Sequence, residues 1–536
     1  MIAGDGRALA REATLATVAA ATVAAVLLWA GPPGVDLAAH AYQRTFLLQH
    51  GFVLLNNFWY AGRYSFVTYS FIYYPLAAVL GIKALAVATI AASALAFTLL
   101  VWREWGPVGR LSTRTFAVLW AGIAVSAAFP FALGAALALI ALTAMQRGRR
   151  RSFAVLVLAT LLASPLAFVL LLVVLAGIGV SRRMSHVRFP AAVVAVAVLL
   201  ELALNRVFPS GGRFPFGAWQ LVPAVLFCGV GMLVTRDVPA ARPLRGIFAI
   251  YLLACLIAFA VPSAVGSNVE RLRYAALPIT LLAFALRRWR PLWVSIPIVV
   301  LATVWNVTPV ASSYVQASSD PAGTAAYWAP TIAYLHAHLS PSFRVEAVDT
   351  ADHWPAEFLP TSGIPIVRGW YRQSDFPENQ LLYDSHLAPG TYRAWLRALG
   401  VRYVVLTDAP PDYSSKVEAA LVRSGRSGLV PVFRTSHVRV YEVPDARPLV
   451  TGPGLASIEW LWPTRLVLAV GRPGRYRVAL RWTPYWRTPQ GCVTRGSDGM
   501  VRLTVRRPGL VQLSFSPSIS TGLEALAGVS DRSSCG

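Results

Sequence analysis

Over its first 310 residues the chain alternates long apolar stretches with short, arginine-bearing breaks, and then it changes character. Apolar runs occupy residues 13–31, 83–102, 115–129, 131–146, 153–164, 166–180, 189–207, 217–234, 246–262, 275–287 and 291–309. Crossing a bilayer as a helix takes about 20 predominantly apolar residues, and this pattern predicts about eleven spans. The aromatic segment 66–82 is interrupted by Pro75 and is expected to lie in the outer interface instead. Ser164-Pro165 divides one long apolar run into two helices, because a proline cannot continue a helical hydrogen-bond ladder.

Beyond residue 310 the pattern shortens to that of a folded extramembrane part. RVEAVD (344–349), IPIVRG (364–369) and VRYVVLTD (401–408) read as buried strands, and YRAWLRALG (392–400) and SSKVEAALVRSG (414–425) as amphipathic helices. Residues 311–445 are therefore expected to form an α/β domain. Residues 446–536 carry RLVLAV, RYRVALRW, VRLTV and LVQLSF, separated by GRPG and SDG turns, which predicts a small β-sandwich. The expected fold class is a polytopic α-helical membrane protein (residues 1–310) followed by these two domains.

Composition agrees with the pattern and orients it. Hydrophobic residues make up 56% of the 536 positions and charged residues 13%, well below the usual quarter of a soluble protein. The net charge is +24, and the sequence contains only two lysines, Lys83 and Lys416, so the excess is arginine. Most of it lies in short breaks between apolar runs. With the N-terminus in the cytoplasm and 66–82 interfacial, eighteen arginines of the membrane part face the cytoplasm and six the opposite side. That places the first outer loop, 31–65, and everything after residue 310 outside the cytoplasm. No basic stripe interleaves with base-stacking aromatics, so nucleic acid is not an expected partner. Cys228 and Cys255 lie inside apolar runs and read as packing residues, whereas Cys492 and Cys535 form a candidate disulfide if their domain is extracytoplasmic. No His/Cys cluster indicates a metal, and no cofactor is required by the reading.

Candidate chemistry concentrates in three places. The loop GPPGVDLAAHAYQRTFLLQHGFVLLNNFWYAGRYS follows the first span and contains one acid, Asp36. Asp36, His40 and Arg44 are spaced i, i+4 and i+8, on one face if helical. Asp36 suits a general base if it reaches an acceptor hydroxyl, and equally suits a helix N-cap. His40 and Arg44 suit phosphate binding, and Asn57 and Trp59 suit contact with a sugar or lipid, although interfacial aromatics are also ordinary membrane anchors. The second place is SNVERLRY (267–274), where Glu270, Arg271 and Arg273 would sit against the outer face; paired arginines can hold a phosphate bidentately. The third is RGWYRQSDFPENQLLY (368–383), where Arg368, Trp370 and Arg372 suit a saccharide or brace the domain.

The exit acid in GVDLAAHAYQ, the run NNFWYAGRYSFVTYSFIYYPLAAVLG and FPFALGAALALIAL (129–142) resemble the GT-C superfamily of membrane glycosyltransferases. RGWYRQSDF and YRAWLRALGVRYVVL look like the outer domain of YfhO-like proteins and are similar to actinobacterial membrane proteins labelled as related to 6-pyruvoyl-tetrahydropterin synthase. No pterin-synthase metal site is present, so that activity is not carried over. The resemblance spans roughly residues 10–445. It implies an inverting transferase of the bacterial plasma membrane, a polyprenyl-phosphate sugar donor, a glycan or lipid acceptor, Asp36 as base, and Arg271 and Arg273 as phosphate ligands. The competing class is a non-catalytic envelope scaffold or a lipid or polysaccharide transporter. Transport predicts half-sequence repeats and more intramembrane charge than Glu201.

Overall fold

The computed structural model describes residues 3–181 and 188–528. In chain order the first helices are α1 (Ala3–Ala30), α2 (Leu37–His50), α3 (Tyr73–Leu80), α4 (Ile82–Trp105), α5 (Arg110–Trp120), α6 (Ile123–Ser126) and α7 (Phe129–Gln146). They are followed by α8 (Arg150–Ala163), α9 (Pro165–Ser181), α10 (Arg188–Val207), α11 (Ala218–Val234), α12 (Arg242–Ala260), α13 (Ala276–Leu286) and α14 (Leu292–Ser319). Two compact units result: residues 1–37, 69–202 and 212–318 form the first, and 38–68, 203–211 and 319–536 the second.

The first unit is helical and its apolar helices make the chain a membrane protein. Among the described residues, six helical stretches are long and apolar enough to cross a bilayer: Gly6–Ala30, Ile82–Ser126, Phe129–Gln146, Arg188–Val207, Pro239–Ala260 and Leu292–Ser319. Pro165–Ser181 and Ala218–Val234 are apolar but shorter. The expected count of about eleven is therefore not reached by length and composition. Two expected runs, 83–102 and most of 115–129, fall within the single stretch Ile82–Ser126, which ends where Ala127 takes a left-handed φ of 54° before α7 begins. The helix α3 has eight residues, too few to cross. Arg182 and Arg183, counted above on the cytoplasmic side, lie outside the described residues.

Small residues bring the helices of this unit together. Ala16, Ala20 and Ala24 of α1 recur at helical spacing and pack with Ile90 and Ala94 of α4. Where α9 meets α12, Gly177 faces Gly246, and a Cβ on Gly246 would lie 2.1 Å from the Gly177 carbonyl oxygen. Only glycines allow that approach.

The second unit continues with α15 (Ala325–His338), α16 (Pro355–Thr361), α17 (Pro389–Ala398), α18 (Lys416–Arg423) and α19 (Ile519–Leu526). Its strands are β1 (Leu55–Asn56), β2 (Arg63–Tyr64), β3 (Arg344–Ala347), β4 (Val401–Thr407), β5 (Val430–Arg434), β6 (Val438–Glu442) and β7 (Val450–Thr451), then β8 (Ala456–Trp462), β9 (Arg465–Val470) and β10 (Gly474–Arg481). β11 (Trp486–Arg487), β12 (Gly491–Arg495), β13 (Met500–Val505) and β14 (Gly509–Phe515) complete the set. One mixed sheet has the order β3-β4-β6-β5, with β3 and β4 parallel. Two four-stranded antiparallel sheets, β12-β13-β10-β7 and β11-β14-β9-β8, follow. Leu466, Leu468, Leu503, Val505, Val511 and Leu513 alternate into their buried faces. The expected strand at 364–369 is reduced to a bridge between Val345 and Ile366. Its other side is taken, because the Ile366 amide donates to the Phe58 carbonyl. The segment 38–68, read from sequence as a loop of the membrane part, is thus built into the sheet region of the second unit. Cys492 is disulfide-bonded. Cys535 lies outside the described residues.

Candidate functional site

In the first unit, α11, α12, α13 and α14 surround a cavity of about 490 Å³. Its walls are almost wholly apolar, with Phe227, Phe248, Phe284, Leu301 and Trp305 prominent. Gln220, Glu270, Arg273, Thr280 and Thr308 are its polar lining residues. Glu270 and Arg273 come from a 3₁₀ turn, Gly266–Ala275, which links α12 to α13. The Tyr251 hydroxyl of α12 pins that turn by donating to the Val269 carbonyl at 3.2 Å.

Glu270 is only 4% exposed. Burial is the larger influence on its carboxyl and raises its pKa; Arg273 opposes this, and the outcome is about 7. The Arg273 Nη1 lies 3.7 Å from Glu270 Oε2, and the guanidinium Nε is buried without a hydrogen-bond partner. A cation with an unsatisfied donor, next to a carboxyl that changes charge near neutrality, lines an otherwise oily cavity. That arrangement can accept an apolar chain bearing an anionic group. Arg271 goes elsewhere: its guanidinium sits 5.1 Å from the ring centre of Phe131.

Asp36 belongs to the same unit and is half-buried. Its amide donates to the Ser126 carbonyl at 3.1 Å, and that of Val35 to Val125. The membrane exit is thereby tied to α6, and Arg271 to the first turn of α7 that follows.

His40 and Arg44 lie on α2, which begins after Asp36, and they belong to the second unit. His40 is buried, with its ring edge-on to Trp370 at 5.6 Å. Asn57 is buried and donates to the Trp462 carbonyl at 3.3 Å. Trp59 is buried and its indole donates to the Ala356 carbonyl at 3.1 Å. Gly369 packs directly on that indole, where a Cβ would stand 2.6 Å from a ring carbon. Tyr60 donates to the Gly369 carbonyl, and the Arg63 guanidinium lies 3.4 Å over the Tyr371 ring.

Arg368 and Arg372 are interior residues. Arg368 forks onto both oxygens of Asp375, at 3.2 and 2.7 Å, and also donates to Ser414 and Ser415. Arg372 pairs with Asp349 and Asp412 and donates to the Gly369 carbonyl. Burial works against ionising Asp412, but Arg372, His353 and Ser414 outweigh it and bring its carboxyl down to about 2. Burial likewise opposes Asp375, and Arg368 and Arg372 still hold it below the ordinary carboxylate range. Glu346 and Glu418, buried nearby, are both pushed up by desolvation. The structure thus gathers His40, Trp59, Arg368, Trp370 and Arg372 into one packed region of the second unit, and Glu270 and Arg273 into the cavity of the first. Sequence reasoning missed Asp349, Asp375 and Asp412 as the arginines' partners; only the density of charge in 349–383 hinted at them. It also missed the cavity itself. Among the described residues, no group of three His, Cys, Asp or Glu side chains is arranged to hold a metal.

No protein-family model and no curated protein matches the chain. Among solved structures, the chain is similar to the arabinofuranosyltransferase AftD from Mycobacteria, with 14% identity and a TM-score of 0.46, over 96% of this chain and 57% of that one. A second structure, of an AftD mutant, gives 16% identity and a TM-score of 0.45, covering 96% and 60%. The chain therefore spans about three fifths of the length of those chains.

Proposed function

We propose that the protein is a cell-envelope glycosyltransferase that moves a sugar from a polyprenyl-phosphate donor to a glycan or lipid acceptor at the outer face of the bacterial plasma membrane. The observation that carries this reading is the apolar cavity with Glu270 and Arg273 in its lining. A polyprenyl chain needs a long apolar wall with no hydrogen-bonding demand, and its phosphate needs a cation that is not already saturated. Arg273 offers such a cation. The arginine asymmetry of the loops supports an N-terminus in the cytoplasm and residues 311–536 outside.

In this reading Asp36 accepts the proton of the acceptor hydroxyl as its oxygen attacks the anomeric carbon. The bond from that carbon to the phosphate oxygen breaks, and the lipid phosphate leaves with the electron pair. Arg273 stabilises the charge that grows on the phosphate. The sugar is delivered with inversion. The test is Asp36→Asn and Arg273→Gln in full-length protein at unchanged expression. Both are expected to abolish transfer or complementation of a deletion, and Arg273→Gln also to remove any polyprenyl phosphate that co-purifies. Full transfer by Asp36→Asn would refute the base assignment, and full complementation with no transfer by wild type would favour a non-catalytic scaffold.

A further inference from the structure

The outer face of the β8-β9-β14 sheet is the strongest feature that the membrane cavity does not use. Ile458, Leu466, Leu468 and Leu513 point to the buried side, so their strand neighbours face outward. Cross-strand pairing then sets Trp462 beside Arg465 and Arg465 beside Ser514. The next row runs from Trp460 through Val467 to Gln512. An irregularity in the pairing between Ile458 and Trp460 re-aims the end of β8, leaving Trp460 53% exposed. The two indoles are near-parallel, with ring centres 6.4 Å apart and planes 24° apart. The Arg465 guanidinium lies 4.1 Å from the Trp462 ring centre, and the Gln512 amide is oriented by donating to Ser514 at 2.9 Å. Beside Trp462 opens a cleft of about 340 Å³, lined by Trp462, Thr464, Arg465, Gln512, Ser514 and His50.

An exposed tryptophan, Trp460, beside a partly exposed one, Trp462, marks a surface that would ordinarily be buried or bound. The rest of the face is too polar for a lipid surface: a guanidinium, an amide and two hydroxyls line the cleft beside Trp462. A saccharide fits both halves. Its C–H faces stack on electron-rich indole faces, and its hydroxyls accept from the guanidinium and exchange hydrogen bonds with the amide. We infer that this face, centred on Trp460, Trp462, Arg465 and Gln512, is an oligosaccharide-binding site. This rests on the proposed transferase reading and names a holding site for its glycan acceptor.

The test uses full-length protein in nanodiscs on an array of neutral arabinan, galactan, mannan and glucan fragments, followed by titration of the best fragment with tryptophan fluorescence as readout. Trp460→Ala and Trp462→Ala are each expected to weaken binding about tenfold, and Gln512→Ala about threefold, while Trp460→Phe stays near wild type. The Phe variant and unchanged melting temperatures separate a lost contact from a lost fold. Binding is read without donor or turnover, so failure of the catalytic reading leaves this readout intact. The inference is overturned if no fragment binds, if the Trp460→Ala/Trp462→Ala double variant binds as well as wild type, or if the face captures anionic vesicles or an extended peptide on the β8 edge instead.

Discussion

Glu270 offers a direct way to probe the membrane cavity. Its carboxyl titrates near 7 and lies 3.7 Å from the Arg273 guanidinium. Below that pH the carboxyl is neutral and Arg273 can face a phosphate unopposed. Above it, the carboxylate competes for the guanidinium and repels the ligand. At 3.7 Å a unit charge pair is worth about 4 kcal/mol at an effective dielectric of 20. The Arg273 side chain is 30% exposed, and solvent screening reduces the usable difference to roughly 1 kcal/mol. That corresponds to about a fivefold change in affinity. The assay is binding of a polyprenyl phosphodiester, whose charge is constant over the range, between pH 6 and 8. Wild type is expected to bind more tightly at pH 6, and Glu270→Gln to bind at the tighter level throughout. Stability should follow the same sign: the folded state holds a proton that the unfolded state releases, so stability falls as pH rises from about 4.3 to 7. A wild-type profile that is flat, or a Glu270→Gln profile that keeps the slope, would refute the role given to this carboxyl.

Arg368→Met removes the bidentate partner of buried Asp375, leaving it only Arg372 at 3.9 Å, and is expected to cost about 3 kcal/mol in chemical unfolding of the full chain, with the deficit shrinking as pH falls and the under-compensated acid protonates. In wild type the depressed carboxyls of Asp375 and Asp412 stabilise fully above about pH 4, and that contribution disappears as the pH approaches 2; acid titration of tryptophan fluorescence should show the loss. Trp59→Ala should cost about 3–5 kcal/mol, because it opens a cavity and strands the Ala356 carbonyl; a melting curve within a degree of wild type would contradict the packing described. Gly369→Ala, which drives a methyl into the Trp59 ring, is expected to destabilise by about 1–3 kcal/mol, while Gly390→Ala, with open space around it, should not.

Periodicity and composition alone established a polytopic helical protein with a mixed α/β region and a β-rich end, because hydrophobic period is a local property written along the chain. The strands at 401–407, 465–470 and 500–505 rest on that signal. The number of crossings did not follow from it. Apolar runs such as 115–129 were broken by the left-handed Ala127 and the start of α7, and whether a run bends depends on the packing it meets. Tertiary structure alone decided the fate of the charged residues. A sequence shows that Arg368, Arg372, Arg271 and Arg273 are cations, but their availability depends on partners distant in the chain. Two are saturated by acids in the interior, one rests on an aromatic ring, and Arg273 keeps an unsatisfied donor beside Glu270. Likewise, Trp59 and Trp460 are the same residue type in similarly aromatic stretches, yet one is locked against Gly369 and the other faces outward. Which of them can meet a ligand is set by the surface that folding leaves exposed.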